Sequence, residues 1–327
     1  MNVGLNITKN SEKFNHFLSI IKQNTAPYKQ CNFINVSNDD ELKKNISNLD
    51  VLLTYEINSD IFKYATSKLK WIHFGVAGVE KNLFPDILKS KTILTNCSGI
   101  HAGPVSEFII ACILYHCKRF NSCNEFKHTQ EWKQWDIAKT MIQLKDKTLG
   151  IIGYGAIGKA TAKIAKQFGM HIIATRRLQK KITSNRFVDY LLPLSDIGKL
   201  YKDSDFIAIT CPLTPITEKM ISYNEFSLMK DTSYIINIAR GGIINDDALI
   251  NALENKKIAG AALDVFTSEP LKQGHPYFNY NNVFLSPHIS GNFPEYQADM
   301  IEQFTNNLIC FLNEKPLKNR ICKKRLY

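Results

Sequence analysis

Short apolar runs alternate along the chain with polar stretches that carry apolar residues at helical spacing. The runs have the length of buried strands, and the stretches between them have the period of amphipathic helices. Strands that alternate with helices predict parallel sheets with helices on both faces. In the first hundred residues we predict strands at 2–7, 31–36, 50–54, 71–74 and 92–95, and helices at 11–23, 39–46 and 57–66.

The remainder of the chain repeats this alternation after a long apolar helix predicted at 104–120. The pattern predicts a helix at 246–254, a final amphipathic helix at 296–312, and six parallel strands at 148–152, 171–174, 205–210, 233–238, 258–263 and 283–285. Such a series is typical of a doubly wound nucleotide-binding domain, whose ligand lies outside the carboxyl ends of the strands.

A glycine turn opens this second series. Gly153, Gly155 and Gly158 follow the strand at 148–152 with G-x-G-x-x-G spacing and lead into a helix that Gly169 ends. We predict the apolar face of that helix to comprise Ile157, Ala160, Thr161, Ile164, Ala165 and Phe168. A strand, a glycine turn and an amphipathic helix within about 30 residues favour a dinucleotide site over an ordinary turn. The helix N-terminus offers N–H groups to the diphosphate.

The composition is that of a globular protein, with 44% hydrophobic and 22% charged residues. No apolar run approaches the roughly 20 residues of a membrane helix, so no membrane partner is expected. The start of the chain lacks an export signal, which predicts a cytoplasmic protein. Eight cysteines without C-x-x-C spacing predict buried reduced thiols and no metal site. The net charge of +11 is spread along the chain, so anionic small molecules are favoured over nucleic acid as partners.

Polar residues follow three of the predicted strands in the second half. Arg240 follows the strand at 233–238, Glu269 follows the strand at 258–263, and His288 follows the strand at 283–285. Each residue alone has an ordinary structural explanation, as a surface cation, a loop carboxylate or a core histidine. Their shared position at carboxyl strand ends of a nucleotide-binding fold favours a catalytic site.

Four blocks of sequence carry a resemblance to a known family. They are Gly153-Tyr-Gly155-Ala-Ile-Gly158, Asn237-Ile-Ala-Arg240-Gly-Gly242, Leu263-Asp-Val-Phe266 with Glu269-Pro270, and Ser286-Pro-His288-Ile289. In this order they resemble the D-isomer-specific 2-hydroxyacid dehydrogenases. The resemblance implies two Rossmann-like or flavodoxin-like α/β domains with parallel sheets and the active site in the cleft between them. It places the substrate-binding domain at 1–98 plus 292–327 and the nucleotide-binding domain at 99–291, and implies a homodimer.

The resemblance also assigns roles to residues. It implies that Arg240 binds and polarises a small 2-oxo acid, that His288 is the general acid and base, and that Glu269 orients the imidazole. The loop of Val76, Ala77 and Gly78 matches the family's backbone clamp for the substrate carboxylate. Asp264 is expected to hold the nicotinamide amide. The implied cofactor contacts are Gly153, Gly155, Ala156, Ile157, Gly158, Pro212, Thr217, Ile238, Asp264, His288 and Gly291.

The chain departs from the family pattern where NAD-dependent members carry an acidic residue for the ribose 2′-hydroxyl. Arg176 and Arg177 stand there. A guanidinium binds a 2′-phosphate, whereas a carboxylate repels it. We therefore expect NADP(H) to be favoured over NAD(H), and 2-oxo acid reduction to be the working direction. NAD(H) remains open if both arginines point to solvent.

A second departure is a Gly99-Ile-His101 segment that resembles members with glyoxylate, hydroxypyruvate or unassigned 2-oxo acid substrates. His101 is expected at the hinge between the domains, with a place lining the cleft as the alternative. Thr54 and Tyr55 are candidates for substrate selectivity. Trp132 and Trp135 lie in a polar segment that suggests a subunit interface or a satellite core. A cofactor-sensing interaction protein similar to the family's corepressors is the alternative to an enzyme.

Overall fold

The computed structural model describes residues 1–28 and 30–325, and the chain divides into two compact units. The first unit combines Met1–Ile100 with Phe293–Tyr327, and the second unit is His101–Asn292. Each unit has its own mainly parallel sheet with its own hydrophobic clusters. The α/β class predicted from the alternating pattern is therefore confirmed.

The first unit is built on a five-stranded sheet in the order β2-β1-β3-β4-β5, and every neighbouring pair is parallel. Its elements before residue 101 are β1 (Asn2–Leu5), α1 (Ser11–Thr25), β2 (Asn32–Asn35), α2 (Asp39–Asn45), β3 (Val51–Thr54), α3 (Ser59–Phe62), β4 (Trp71–Phe74), α4 (Pro85–Lys89) and β5 (Ile93–Asn96). All side chains of β3 and β4 are buried. Such continuous apolar runs are expected where helices cover both faces of a parallel sheet.

The second unit is built on an eight-stranded sheet in the order β13-β12-β11-β10-β6-β7-β9-β8. Its helices are α5 (Ala102–Cys117), α6 (Phe120–Thr129), α7 (Gln134–Ala138), α8 (Ala156–Gln167), α9 (Ile197–Asp203), α10 (Tyr223–Leu228) and α11 (Asp246–Glu254). Its strands are β6 (Thr148–Ile152), β7 (His171–Thr175), β8 (Thr183–Asn185), β9 (Val188–Leu192), β10 (Phe206–Ile209), β11 (Tyr234–Asn237), β12 (Gly260–Leu263) and β13 (Val283–Leu285).

The six predicted parallel strands are all present as β6, β7, β10, β11, β12 and β13, but the sheet also contains β8 and β9, which extend it beyond β7 and were not predicted. Strand β9 pairs parallel with β7, whereas β8 pairs antiparallel with β9 through an irregular register. Both strands are short, and β8 has no buried side chain. Strand β8 therefore lacks the apolar run on which the prediction relied. Strand β9 does bury Val188, Leu191 and Leu192, but the charged Asp189 interrupts this run.

Two predicted helices end early. The helix predicted at 104–120 ends at Cys117, because Arg119 adopts a left-handed backbone with φ of 55° and a new helix starts at Phe120. The helix predicted at 57–66 is limited to α3. The buried face of α8 also differs from the prediction, because Gly158 and Ala162 are buried while Phe168 is exposed. Gly169, with φ of 73°, ends α8 as predicted.

The last helix, α12 (Tyr296–Leu312), belongs to the first unit and has the predicted bounds. Its buried residues Met300, Ile301, Phe304 and Leu308 join the hydrophobic cluster around β1, β3 and Trp71. The ring of Phe304 stacks on Trp71 with centroids 5.4 Å apart. Helix α12 thus completes the hydrophobic core to which β1, β3 and Trp71 also contribute.

Helices α6 and α7 contribute no buried residue. Trp132 and Trp135 in this segment are 78% and 76% exposed, and Trp132 meets Phe126 edge to face. This exposure excludes a satellite core, which was one of the two explanations for these tryptophans. A patch of large exposed aromatic side chains is a typical feature of a protein–protein interface.

Two further observations concern the composition. In residues 1–28 and 30–325 no helix combines the length and the apolar character that a membrane crossing requires. The cytoplasmic location stays a prediction. The expectation that the cysteines are buried is only partly confirmed, since Cys97, Cys112 and Cys117 are buried but Cys123 is exposed.

Candidate active site

Arg240, Glu269 and His288 follow three neighbouring parallel strands. Strands β11, β12 and β13 lie side by side in the sheet, and each of the three residues lies beyond the carboxyl end of one of them. Nδ1 of His288 lies 2.8 Å from Oε2 of Glu269. The structure therefore brings together two residues that are 19 positions apart in the sequence, and Arg240 is close enough to act electrostatically on Glu269.

The Glu269 carboxylate is held by two donors. Oε2 faces His288, and Oε1 accepts the Phe266 N–H at 3.0 Å. Partial burial raises the pKa of Glu269, but the hydrogen bonds from His288 and Phe266 and the charge of Arg240 outweigh burial and lower it overall. The carboxylate is therefore ionised at neutral pH. An ionised partner at Nδ1 makes that nitrogen a donor, which leaves Nε2 as the atom that exchanges a proton with a ligand.

Asp264 fixes the loop that carries His288. Its carboxylate, which is 1% exposed, accepts hydrogen bonds from Ser286 Oγ at 2.6 Å, Ile289 N at 2.8 Å and Ser290 N at 2.9 Å. His288 lies within this clamp with a positive φ of 54°, a conformation that non-glycine residues rarely adopt. Asp264 is therefore a positioning residue for the histidine, which its sequence context did not indicate. Its predicted contact with the nicotinamide amide stays a prediction.

His101 contacts the far end of the same loop. Its Nδ1 lies 2.9 Å from the carbonyl oxygen of Gly291, so Nδ1 carries the hydrogen. A Cβ on Gly291 would approach this nitrogen to 2.9 Å, so a larger residue there would displace the ring. Burial is the main effect that lowers the pKa of His101, and the nearby Arg240 and His288 lower it further. The hydrogen bond to Gly291 acts in the opposite direction but does not outweigh them. His101, which the sequence predicted at a hinge, thus helps to hold the loop that carries His288.

The glycine turn between β6 and α8 fits a dinucleotide diphosphate. A Cβ on Gly153, whose φ is 104°, would approach the backbone nitrogen of Cys211 to 2.7 Å, and one on Gly158 would lie 2.4 Å from the Gly153 oxygen. A Cβ on Gly155 would meet nothing within 4 Å. Gly155 is also the N-cap of α8, and no side chain caps this end. The open space and the uncapped N–H groups are what a bound diphosphate requires.

Other predicted cofactor residues have structural roles. Thr217 donates from Oγ1 to the Pro212 carbonyl at 2.7 Å and accepts from Thr214 N at 2.8 Å, which shapes the turn after β10. Ile238 is 6% exposed and packs in the core at the end of β11. Arg176 and Arg177 lie directly beyond the end of β7, and both are exposed to solvent. Ala156 and Ile157 form the first turn of α8.

Val76, Ala77 and Gly78 lie in the first unit, in the loop that follows β4. All three are partly exposed. Asn96 donates from Nδ2 to the Ala77 oxygen at 2.7 Å, and Cys97 N donates to the Val76 oxygen at 3.0 Å. The loop is therefore anchored to the end of β5 through its carbonyl groups.

Comparisons with known proteins agree with this site. The sequence model of the D-isomer specific 2-hydroxyacid dehydrogenase NAD binding domain matches residues 110–290. Glyoxylate reductase of Thermofilum pendens is 35% identical over 281 residues, which cover 84% of this chain and 81% of that protein. A nucleotide-binding fold with this site defines a nicotinamide-dependent oxidoreductase. The chain belongs to the D-isomer-specific 2-hydroxyacid dehydrogenase family, which confirms the resemblance carried by its motifs.

Solved structures show the same fold. NADPH-dependent glyoxylate/hydroxypyruvate reductase of Sinorhizobium meliloti, determined with NADP and sulfate, has a TM-score of 0.80 at 20% identity and covers 100% of this chain and 99% of its own. NAD-dependent formate dehydrogenase of Staphylococcus aureus, determined with NAD, has a TM-score of 0.70 at 21% identity and covers 98% and 99%. Because such neighbours bind either cofactor, the fold does not decide between NADP and NAD.

The open space at Gly155 leads to a prediction. We expect Gly155→Ala to leave the melting temperature nearly unchanged, since the added methyl meets nothing, while the Kd of the nicotinamide cofactor rises about tenfold or more because a diphosphate at this turn loses its close approach. Gly158→Ala is the contrasting variant, because its methyl overlaps the Gly153 oxygen and should destabilise the fold by about 1–3 kcal/mol. Thermal unfolding and cofactor titration measure both effects. Unchanged cofactor affinity in Gly155→Ala would contradict the assignment.

Proposed function

We propose that the protein reduces a small 2-oxo acid to the D-2-hydroxy acid, with NADPH preferred over NADH. The observation that carries this proposal is the Glu269–His288 hydrogen bond, placed with Arg240 beyond three adjacent strand ends of a nucleotide-binding unit. An imidazole whose Nδ1 is held by an ionised carboxylate has one nitrogen left for proton exchange. The match to glyoxylate reductases supports glyoxylate or hydroxypyruvate as the substrate class.

The chemistry needs three groups from the chain. Arg240 binds and polarises the substrate, because its planar guanidinium presents donors in a fixed fork. His288 donates the proton from Nε2 to the carbonyl oxygen in reduction and accepts it in oxidation. Glu269 keeps the imidazole oriented through the hydrogen bond at Nδ1. A bound nicotinamide supplies or takes up the hydride.

The substrate carboxylate is assigned to the loop of Val76, Ala77 and Gly78. Backbone N–H groups of such a loop bind an anion without adding a competing charge. The loop is partly exposed, and the carbonyl groups of Val76 and Ala77 are already engaged, which supports this role.

We further propose that the protein is a homodimer. The segment of α6 and α7 exposes Trp132 and Trp135 and buries none of its own residues, which supports a subunit interface there. Large aromatic residues are enriched at interfaces because they bury much apolar surface with little loss of side-chain entropy.

A substrate panel tests the proposed activity. Glyoxylate, hydroxypyruvate, pyruvate and a branched 2-oxo acid are offered with NADPH, and cofactor oxidation is followed by absorbance. We expect turnover of at least glyoxylate or hydroxypyruvate, and a D-configured product from hydroxypyruvate by chiral chromatography. No turnover of any of these acids by folded, NADPH-binding protein would contradict the proposal, as would an L-configured product.

The cofactor preference is tested at Arg176. This side chain is exposed beyond the end of β7, where an acidic residue would repel a 2′-phosphate. We expect kcat/KM to be higher with NADPH than with NADH, and Arg176→Asp to lower the NADPH value about 10- to 100-fold because a charge-assisted hydrogen bond is lost. The value with NADH should stay within about threefold, since NADH has no 2′-phosphate to repel.

Lys13→Asp serves as the matched control, because it makes the same charge change on an exposed turn of α1 in the first unit. It should leave both kcat/KM values unchanged. A wild-type protein that uses NADH as well as NADPH, or an Arg176→Asp variant with unchanged NADPH kinetics, would contradict the assignment.

A further inference from the structure

The loop of residues 75–78 has its carbonyl groups fixed by three separate donors. Tyr296 Oη donates to the Gly75 oxygen at 2.5 Å, Cys97 N donates to the Val76 oxygen at 3.0 Å, and Asn96 Nδ2 donates to the Ala77 oxygen at 2.7 Å. Three consecutive carbonyl groups thus have partners from β5, from the residue after it, and from α12. All of these residues belong to the first unit.

The N–H groups of the same loop are available to a ligand. In the part of the chain that the structure describes, the N–H groups of Val76, Ala77 and Gly78 donate to no acceptor. The three residues are partly exposed, whereas Gly75 and Val79 on either side are buried. A short run of backbone donors at the surface is suited to bind a carboxylate, and the Val76 and Ala77 carbonyl groups beside it are already hydrogen-bonded.

Tyr296 is suited to hold this loop. It lies at the first position of α12, and its hydroxyl reaches back across 221 residues of sequence. Burial, together with nearby Cys97 and Tyr55, raises the pKa of Tyr296, so the hydroxyl keeps its proton and remains a donor at neutral pH. Gly75 packs tightly on the same helix, since a Cβ there would approach Sδ of Met300 to 2.7 Å.

Asn96 is held in a matching orientation. Its Oδ1 accepts the Ser98 N–H at 3.2 Å, which directs the amide nitrogen toward the Ala77 oxygen. The side chain is 8% exposed, so few other partners compete for the amide. Tyr296 and Asn96 therefore fix two nearby carbonyl groups of the same loop, one from the start of α12 and the other from the end of β5.

We propose that Tyr296 and Asn96 are positioning residues that hold the 75–78 loop so that its N–H groups bind the substrate carboxylate. This inference rests on the proposed function, because it takes a 2-oxo acid as the ligand. It assigns the start of α12 to the substrate site, although α12 carries none of the residues that act on the reacting atoms. The carboxylate of a 2-oxo acid keeps its charge while the neighbouring carbonyl carbon is reduced. We therefore expect it to be bound about equally in the ground state and the transition state, so that the effect falls on KM and spares kcat.

The test compares Tyr296→Phe with the wild-type protein. The substitution keeps the ring and removes only the hydroxyl that the Gly75 oxygen accepts. We expect the KM for glyoxylate to rise about tenfold, because the cost of an unpaired carbonyl at the loop loosens the anion site. The kcat should stay within about twofold, as for the loss of uniform binding. The inhibition constant of oxamate, an unreactive analogue with the same carboxylate, should rise by the same factor as KM.

Two further variants complete the test. Asn96→Ala should change KM and the oxamate constant in the same direction, because it removes the donor to Ala77. Tyr280→Phe is the matched control, since it removes a tyrosine hydroxyl that donates to Glu254 in the other unit, and it should change neither constant. Thermal unfolding and NADPH titration establish that each variant is folded and binds cofactor.

The outcomes separate the inference from the proposed function. If the wild-type protein reduces the acid but both loop variants keep KM and the oxamate constant within twofold, the positioning role is overturned and the enzymatic function stands. A loss confined to kcat would also overturn it. If the wild-type protein reduces no 2-oxo acid, the proposed function fails, and calorimetric oxamate binding to the NADPH complex decides the inference: equal affinity of wild type and Tyr296→Phe, or no binding, overturns it.

Discussion

The buried carboxylate of Asp264 is the constraint on which the rest of the candidate active site depends. It accepts three hydrogen bonds from Ser286, Ile289 and Ser290, and so fixes the loop beyond β13. A buried carboxylate is costly unless donors surround it, and loss of one of these donors would leave a buried carboxylate oxygen without a hydrogen-bond partner. The clamp therefore stabilises His288 in a left-handed backbone conformation that the residue would seldom adopt alone.

The residues that surround His288 are also fixed by hydrogen bonds. Glu269 is fixed by the Phe266 N–H while it accepts from His288, and His101 donates to Gly291 at the other end of the loop. Through these contacts, the loops after β12 and β13 and the residue before α5 together hold the region around the His288 imidazole. Preorganisation of this kind reduces the reorganisation that a proton transfer would otherwise require.

The sequence was informative where a single local rule decides the structure. The apolar runs and the glycine turn predicted the α/β fold, and the polar residues after three strands predicted Arg240, Glu269 and His288 as one group. Strand β8 escaped prediction because its side chains are exposed and carry no apolar run, and β9 escaped it because the charged Asp189 interrupts its buried apolar residues. The contacts of Tyr296 with Gly75 and of Asp264 with the histidine loop also escaped it, since they join residues 221 and up to 26 positions apart and depend on how the chain folds back.

The central claim is that His288, held by Glu269, provides the proton for reduction of a 2-oxo acid. The most direct measurement is the pH dependence of kcat/KM for glyoxylate with NADPH, in wild type, His288→Ala and Glu269→Gln. We predict that His288→Ala loses about 10²- to 10⁴-fold in kcat/KM at every pH, as expected for loss of a general acid. In Glu269→Gln the activity should also fall, because a neutral amide replaces the carboxylate that faces Nδ1 of His288 and orients the imidazole. A His288→Ala variant with near wild-type turnover, or a Glu269→Gln profile identical to wild type, would contradict the account.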